Sequence, residues 1–341
     1  MSKARWIPTA GFVLSLMVLV PLGTRAQPAA VPADPSLPAY KPGVQVSGKA
    51  AAVTGMDSVE AMFRAWNDAF KAFHPGAEFT IESKDTAPEE RISLGSGTEE
   101  IFHENNQAYE DKYGYEPFRI RVCMGAYVLK SHVSAIGVFV NGANPIKTLS
   151  LAQLDAIYSD ERRRGYPAAI LTWGQLGLDG EWADRPVHPY GFYWRDDVTT
   201  YFRRLVMFDA PFTDSYRVPG SDMARRTPKV GQDLMATLAS DPGAIGFANF
   251  SYQGPGVKAV ALADRDGVVG QPILRDIASG RYPLERYLYI YVNRVPGQPL
   301  DPLLKEFLTF ILSRDGQSLV QKDHYLPLTA EAAAAERARL E

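Results

Sequence analysis

The stretch AIGVFVNGANPIKTLSLAQLDAIYSD, Ala135 to Asp160, decides the fold. Its apolar run from Ala135 to Val140 has the composition of a buried strand, and Asn141-Gly142 ends it with a turn pair. Beyond Asn144-Pro145, the residues Leu151, Leu154 and Ile157 recur at helical spacing, and Ser150 stands in front of them as an N-cap whose hydroxyl can accept an unpaired backbone N–H. The order is strand, turn, capped helix. Asn141 and Asn144 read as turn-shaping residues rather than as a site.

Upstream, Val46 to Val53 reads as a strand, and Gly55-Met56-Asp57-Ser58 leads into a helix with Val59, Met62, Phe63, Trp66, Phe70 and Phe73 on one face. His74-Pro75-Gly76 ends that helix, and Phe79 to Ile81 is a second short strand. This β-α-β opening seeds a mostly parallel sheet with packed helices. Residues 83 to 116 look polar and irregular, whereas Phe118 to Met124 and Ser134 to Val140 look like strands. Downstream, strands are expected at Val187–Tyr190, Gly243–Phe247 and Tyr287–Val292. Helices are expected at Val198–Phe208 and Val230–Leu238, and at an amphipathic stretch with Leu303, Leu304, Phe307, Leu308 and Ile311.

The ends carry a different composition. Lys3 and Arg5 precede an apolar run from Ile7 to Leu22 and then Thr24-Arg25-Ala26, the layout of a secretory signal peptide over residues 1–26. Residues 27–44, rich in Pro and Ala, read as a flexible leader outside the fold. Residues 331–341 read as an exposed helical tail. Without a cysteine near the cleavage site the mature chain is not lipidated, and a soluble periplasmic protein is expected. The sole cysteine, Cys123, sits in an apolar run and reads as a buried thiol.

At 341 residues, with 46% hydrophobic and 22% charged side chains, the chain has room for two globular units. Removing Lys3, Arg5 and Arg25 with the signal leaves 33 basic against 39 acidic residues, a net charge of −6, which argues against nucleic acid as a partner. The five histidines show no metal-binding spacing and read as surface or capping residues. There is no GxSxG elbow, GxxxxGK[ST] loop or GxGxxG turn. No residue is assigned to catalysis, and no enzyme activity or cofactor is implied.

The crossover stretch, with Gly243-Ala-Ile-Gly-Phe247, Tyr282 to Asn293, Leu312 to Gln317 and Asp323-His-Tyr-Leu-Pro327, resembles the PstS-like phosphate-binding periplasmic solute-binding family. The resemblance covers most of the mature chain. It implies an α/β, two-lobe periplasmic binding protein of type II, each lobe a mostly parallel sheet flanked by helices, linked by two hinge crossovers. It places lobe 1 at 45–139 plus 246–330 and lobe 2 at 140–245. It also implies a small anion, phosphate or similar, in the interlobe cleft, ABC transporter membrane subunits as partners, and a monomer.

Family members hold phosphate with Ser and Thr hydroxyls, backbone N–H groups at helix starts and an arginine. In this chain the first such loop is Gly55-Met56-Asp57-Ser58, so Asp57 and Ser58 are candidate ligand residues, although Ser58 equally suits a plain helix N-cap. The second is Ser83 to Pro88, where Thr86 keeps a hydroxyl and Lys84 takes a donor serine's place as a point charge. Gly95-Ser96-Gly97-Thr98 looks like the missing signature but lies downstream of the matching position. The third is Phe192 to Val198 between Tyr190-Gly191 and Tyr201-Phe202. There Arg195 is the candidate cation, while Asp196 and Asp197 replace the family's Ser-Gly pair and would repel a dianion. Two readings follow: a phosphate carrier, or a diverged relative that no longer binds phosphate and acts in sensing, as a scaffold or through another protein.

Overall fold

A computed structural model describes residues 31–54, 57–83, 92–96, 110–111, 113–125, 135–194, 196–219, 230–264, 266–320 and 325–341. The elements run β1 (Gly48–Thr54), α1 (Asp57–Phe73), β2 (Ala77–Ser83), β3 (Ile92–Ser96), β4 (Phe118–Met124), β5 (Ile136–Asn141), β6 (Thr148–Ser150) and α2 (Leu151–Tyr158). They continue with β7 (His188–Tyr190), α3 (Asp197–Met207), α4 (Val230–Ser240), β8 (Ala244–Asn249), β9 (Val257–Ala259), β10 (Ala261–Ala263) and β11 (Val269–Gly270). The last are α5 (Leu274–Ala278), β12 (Tyr287–Val292), α6 (Pro302–Ile311), α7 (Arg314–Val320) and α8 (Ala330–Ala338).

Two main sheets result, ordered β2-β1-β3-β12-β4 and β7-β8-β5-β9, with a small third sheet, β11-β10-β6. In the first sheet β1 is parallel to β2 and β3, and β12 alone runs against its neighbours. In the second, β7 and β8 are parallel and β5 alone runs against β8 and β9. Each sheet is therefore mostly parallel, with one reversed strand, and the reversed strand is in each case the one by which the chain enters from the other sheet. The two connections run side by side, since Gly125 N–H donates to Arg286 C=O at 2.6 Å and Ile136 N–H to Leu284 C=O at 3.0 Å. This is the two-lobe, twice-crossed plan that the family resemblance implied.

β5 is buried along its whole length, as expected of a strand packed on both faces. Ser150 Oγ accepts the Gln153 N–H at 3.1 Å while Gln153 Oε1 accepts the Ser150 N–H at 2.8 Å, a reciprocal capping box that fixes the start of α2. Asn141 Nδ2 donates to the carbonyls of Leu238 and Ala239, both at 2.9 Å, at the end of α4. Its Oδ1 accepts the Ala143 N–H, so this side chain is fully used in shaping the turn. The expected return point at 245–246 falls inside β8, whose neighbours β5 and β7 share its sheet.

Several expectations need correction. Residues 34–44 are not a leader outside the fold: Leu37 and Tyr40 are buried in the core. Tyr40 Oη donates to Glu306 Oε2 at 2.6 Å, and the Gly43 and Val44 N–H groups donate to the same carboxylate. His74, expected at the surface or as a cap, is fully buried beside Tyr40 Oη at 2.7 Å. The C-terminal helix is docked rather than exposed, burying Ala333, Glu336 and Leu340, with Glu336 paired to Arg121 at 2.5 Å and Arg339 at 2.6 Å. The supposedly irregular 83–116 region contains β3, and Gly95 and Ser96 pair with Tyr289 and Leu288 in the sheet. Cys123 is buried as expected. Among the described residues no helix is long and apolar enough to cross a membrane.

Candidate anion site between the lobes

The first sheet brings Asp57-Ser58 and Ser83, the described parts of two expected loops, to one edge. Thr54 at the end of β1 is in register with Ser83 at the end of β2 and with Leu94 of β3. Asp57 and Ser58 open α1, and Lys84 follows directly from Ser83. The start of α1 and the end of β2 at Ser83 therefore lie at the carboxyl ends of adjacent parallel strands, where an α/β sheet presents helix N–H groups to a ligand. The α1 start is anchored by packing: Met62, Phe63, Trp66 and Phe70 are fully buried, and Trp66 Nε1 donates to Gly316 C=O at 2.9 Å. Lys84 and Thr86 lie outside the described residues, as do Gly97 and Thr98 of the downstream GSGT run.

The third loop starts where β7 ends. A side chain at Gly191 has no room, because a Cβ there would lie 2.2 Å from Tyr216 Oη and 2.6 Å from Phe247 Cζ. Tyr216 Oη donates to Phe192 C=O at 2.6 Å, and burial pushes this phenol well above its ordinary pKa, so it stays a neutral donor. Phe192 is buried, whereas Tyr193 and Trp194 face solvent with ring centroids 5.5 Å apart. The loop then closes on itself, Asp196 N–H donating to Tyr193 C=O at 2.8 Å.

Asp196 is the N-cap of α3. Its Oδ1 accepts the Val198 N–H at 2.9 Å, and its carbonyl accepts the Thr200 N–H at 2.9 Å. The carboxylate thus takes one of the N–H groups that a helix start would offer an anion, and adds a negative charge there. Arg195 lies outside the described residues. On the next turn of α3, Tyr201 Oη donates to Glu285 C=O at 2.5 Å, which ties the helix to the connection entering β12. Because Leu288 pairs with Ser96, that end of β12 lies at the same edge of the first sheet as Thr54 and Ser83.

Tyr287–Val292 forms the expected strand, and the charged pair Glu285-Arg286 directly before it, to which periodicity assigns no role, is the sequence signal for this region. Glu285 and residues of α3 and β12 line a cavity of about 500 Å³.

Two mostly parallel sheets, each receiving one reversed strand from the other and each offering a helix start beside the connection, define a two-lobe solute-binding protein. A model of the PBP superfamily domain matches residues 94–315. The phosphate-binding protein PstS of Pseudomonas aeruginosa is 34% identical over 329 residues, covering 94% of this chain and 96% of that protein. The protein of the same name from Bacillus subtilis is 24% identical over 81% of this chain and 80% of its own length. A crystal structure of PstS from Borrelia burgdorferi superposes with a TM-score of 0.51 at 14% identity, over 83% of this chain and 100% of that one. The chain belongs to the PstS family of the PBP superfamily.

Proposed function

We propose that the chain is a periplasmic solute-binding protein that captures phosphate or a similar anion between its lobes and delivers it to ABC transporter membrane subunits. The observation that carries this reading is the 34% identity, over nearly the full length, to the Pseudomonas aeruginosa phosphate-binding protein PstS. The pairing of Thr54 with Ser83 supports it, because it sets the strand ends that lead to Asp57-Ser58 and to Lys84 side by side. Arg195, next in sequence to the cap residue Asp196, supplies the opposing lobe's cation, and the charge of Asp196 opposes it. The chain acts by binding and release as a monomer, without catalysis, after export by the signal segment at 1–26. The lobes meet at the paired connections around Gly125 and Arg286, and closure is a hinge motion about them.

The test is a thermal melt of the mature protein with phosphate against sulfate at equal ionic strength. A ligand that binds only the folded state raises stability by RT ln(1 + [L]/Kd). A phosphate-specific rise is expected; no rise at millimolar phosphate sinks the assignment and leaves the fold untouched.

One observation favours the second reading, a diverged relative that does not take phosphate. Asp196 occupies the α3 start with its own carboxylate, on the Val198 N–H that an anion would use. A protein that binds a cationic or neutral solute, or another protein, at this edge would show the same flat phosphate melt and no gain when the carboxylate is removed.

A further inference from the structure

The cavity of about 500 Å³ between α3 and β12 runs along α3 from Tyr201 to Asp209. At 1.5 Å per residue, Leu205 and Phe208 lie roughly 13 to 18 Å along the helix from Asp196. The walls are aromatic: Tyr201 and Phe208 come from the α3 side, Tyr287 and Tyr289 from β12. The volume and the mainly apolar lining with a few polar groups are those of a small-molecule site.

Its polar groups are unevenly matched. Glu285 Oε1 accepts the Tyr287 hydroxyl at 3.3 Å, while Oε2 is buried and meets no hydrogen-bond donor among the described residues. A buried carboxylate oxygen without a donor costs more than one that is paired, so a ligand bringing an N–H to it gains that difference. The lining also holds Asp209, which lies 3.7 Å from Arg203, and one cation, Arg204. The other arginines near the site are engaged: Arg121 pairs with Glu336 and lies over Tyr287 at 5.1 Å, and Arg286 lies over Tyr201 at 5.1 Å. Among the described residues the lining itself carries Glu285 and Asp209 against Arg204, and its tyrosine faces attract cations.

We propose that this cavity binds a small organic ammonium, its N–H groups on Glu285 Oε2 and its apolar body against Tyr201, Leu205, Phe208 and the β12 tyrosines. The lining joins α3 of one lobe to β12 of the other, so the bound amine bridges them.

Because burial pushes the Glu285 carboxyl up to about 7, amine binding depends on pH. The titratable and charged groups facing it are Tyr201, Arg204 and Asp209 from the α3 side, Arg121 from β4, and Arg286, Tyr287 and Tyr289 from its own connection and strand. With only the ionised acid competent, affinity falls about tenfold from roughly pH 8 to pH 6.

The test is isothermal titration of the full mature chain with phenethylammonium chloride at about pH 8, with and without saturating phosphate. Saturable binding that persists in phosphate, drops at least about tenfold in Glu285→Gln and in Leu205→Trp, and weakens at low pH is the expected result. Leu205→Trp fills the cavity while leaving the acid in place, so the two variants check each other. No saturable heat at about 10 mM amine, equal affinity in Glu285→Gln, or displacement by phosphate would each overturn the proposal. Phosphate heat measured on the same samples reports separately on the anion site, so either assignment can fail alone.

Discussion

Asp196 Oδ1 receives the Val198 N–H at 2.9 Å, which sets a carboxylate on the first turn of the helix that faces the lobe junction. Cap and charge are separable by mutation. Serine keeps a capping oxygen, so Asp196→Ser should change stability by only a few tenths of a kcal/mol, whereas Asp196→Ala should cost about 1 kcal/mol. Removing the charge takes away repulsion of a dianion, and Asp196→Ser should tighten phosphate binding at least about tenfold at low salt, with the gain shrinking as salt rises. Calorimetric titration with phosphate at two ionic strengths checks this. Unchanged or weaker binding in Asp196→Ser would place the anion away from the α3 start.

The loop that carries Asp196 is held by contact at Gly191, where any Cβ would strike Tyr216 Oη and Phe247. Gly191→Ala should therefore displace the phenol, break its hydrogen bond to Phe192 C=O, and lower stability by about 1–3 kcal/mol, the usual cost of overpacking. Tyr216→Phe removes only the hydrogen bond and should cost about 1 kcal/mol. Urea melts of the two variants rank these effects. If Gly191→Ala proves the milder, the loop has room that the contacts with Tyr216 and Phe247 deny.

Local patterns carried the crossover stretch well, because β5 is buried on both faces and α2 carries its own capping box, both written in adjacent residues. The edge at Thr54 and Ser83 was equally legible, since a β-α-β unit places consecutive strand ends together. What failed was non-local. Leu37 and Tyr40 sit in a Pro/Ala-rich stretch and become core residues through partners such as Glu306, hundreds of residues away. The return connection at Leu284–Arg286 was hidden for a similar reason. The family resemblance marks β8 as the return strand, but its pairing with β5 and β7 keeps it in the second sheet.

The buried His74 should make stability depend on pH in a defined direction. Tyr40 has one hydroxyl proton and gives it to Glu306, so His74 Nε2 must donate to Tyr40 Oη, and Nδ1 is left to accept the Val46 N–H at 3.3 Å. That arrangement needs neutral imidazole. Burial lowers its pKa below the ordinary 6.5, against the opposing pull of Glu306. Between the folded value and 6.5 the unfolded chain binds more protons, so this contribution is complete above pH 6.5 and is lost as pH falls through the folded value. The urea midpoint should drop on acidification in the parent and drop less in His74→Gln. Equal slopes in the two proteins would show that His74 does not titrate with unfolding.

Glu285 should act with the opposite sign. Its carboxyl is pushed up from 4.5 to about 7 by burial, with Tyr287 and Arg121 offsetting only part of that. The folded state therefore holds the proton longer than the unfolded chain does. Its contribution is fully present below pH 4.5 and is lost as pH rises to about 7. Glu285→Gln keeps a neutral side chain of the same shape at every pH. The variant should melt close to the parent near pH 4.5 and higher than it above pH 7, with the gap opening between those values. The backbone bond from Tyr201 Oη to Glu285 C=O is untouched by the substitution, so the lobe contact stays and the comparison isolates the carboxyl. A constant difference across the range, or a variant less stable at high pH, would mean that the ionised carboxylate is already satisfied where it lies.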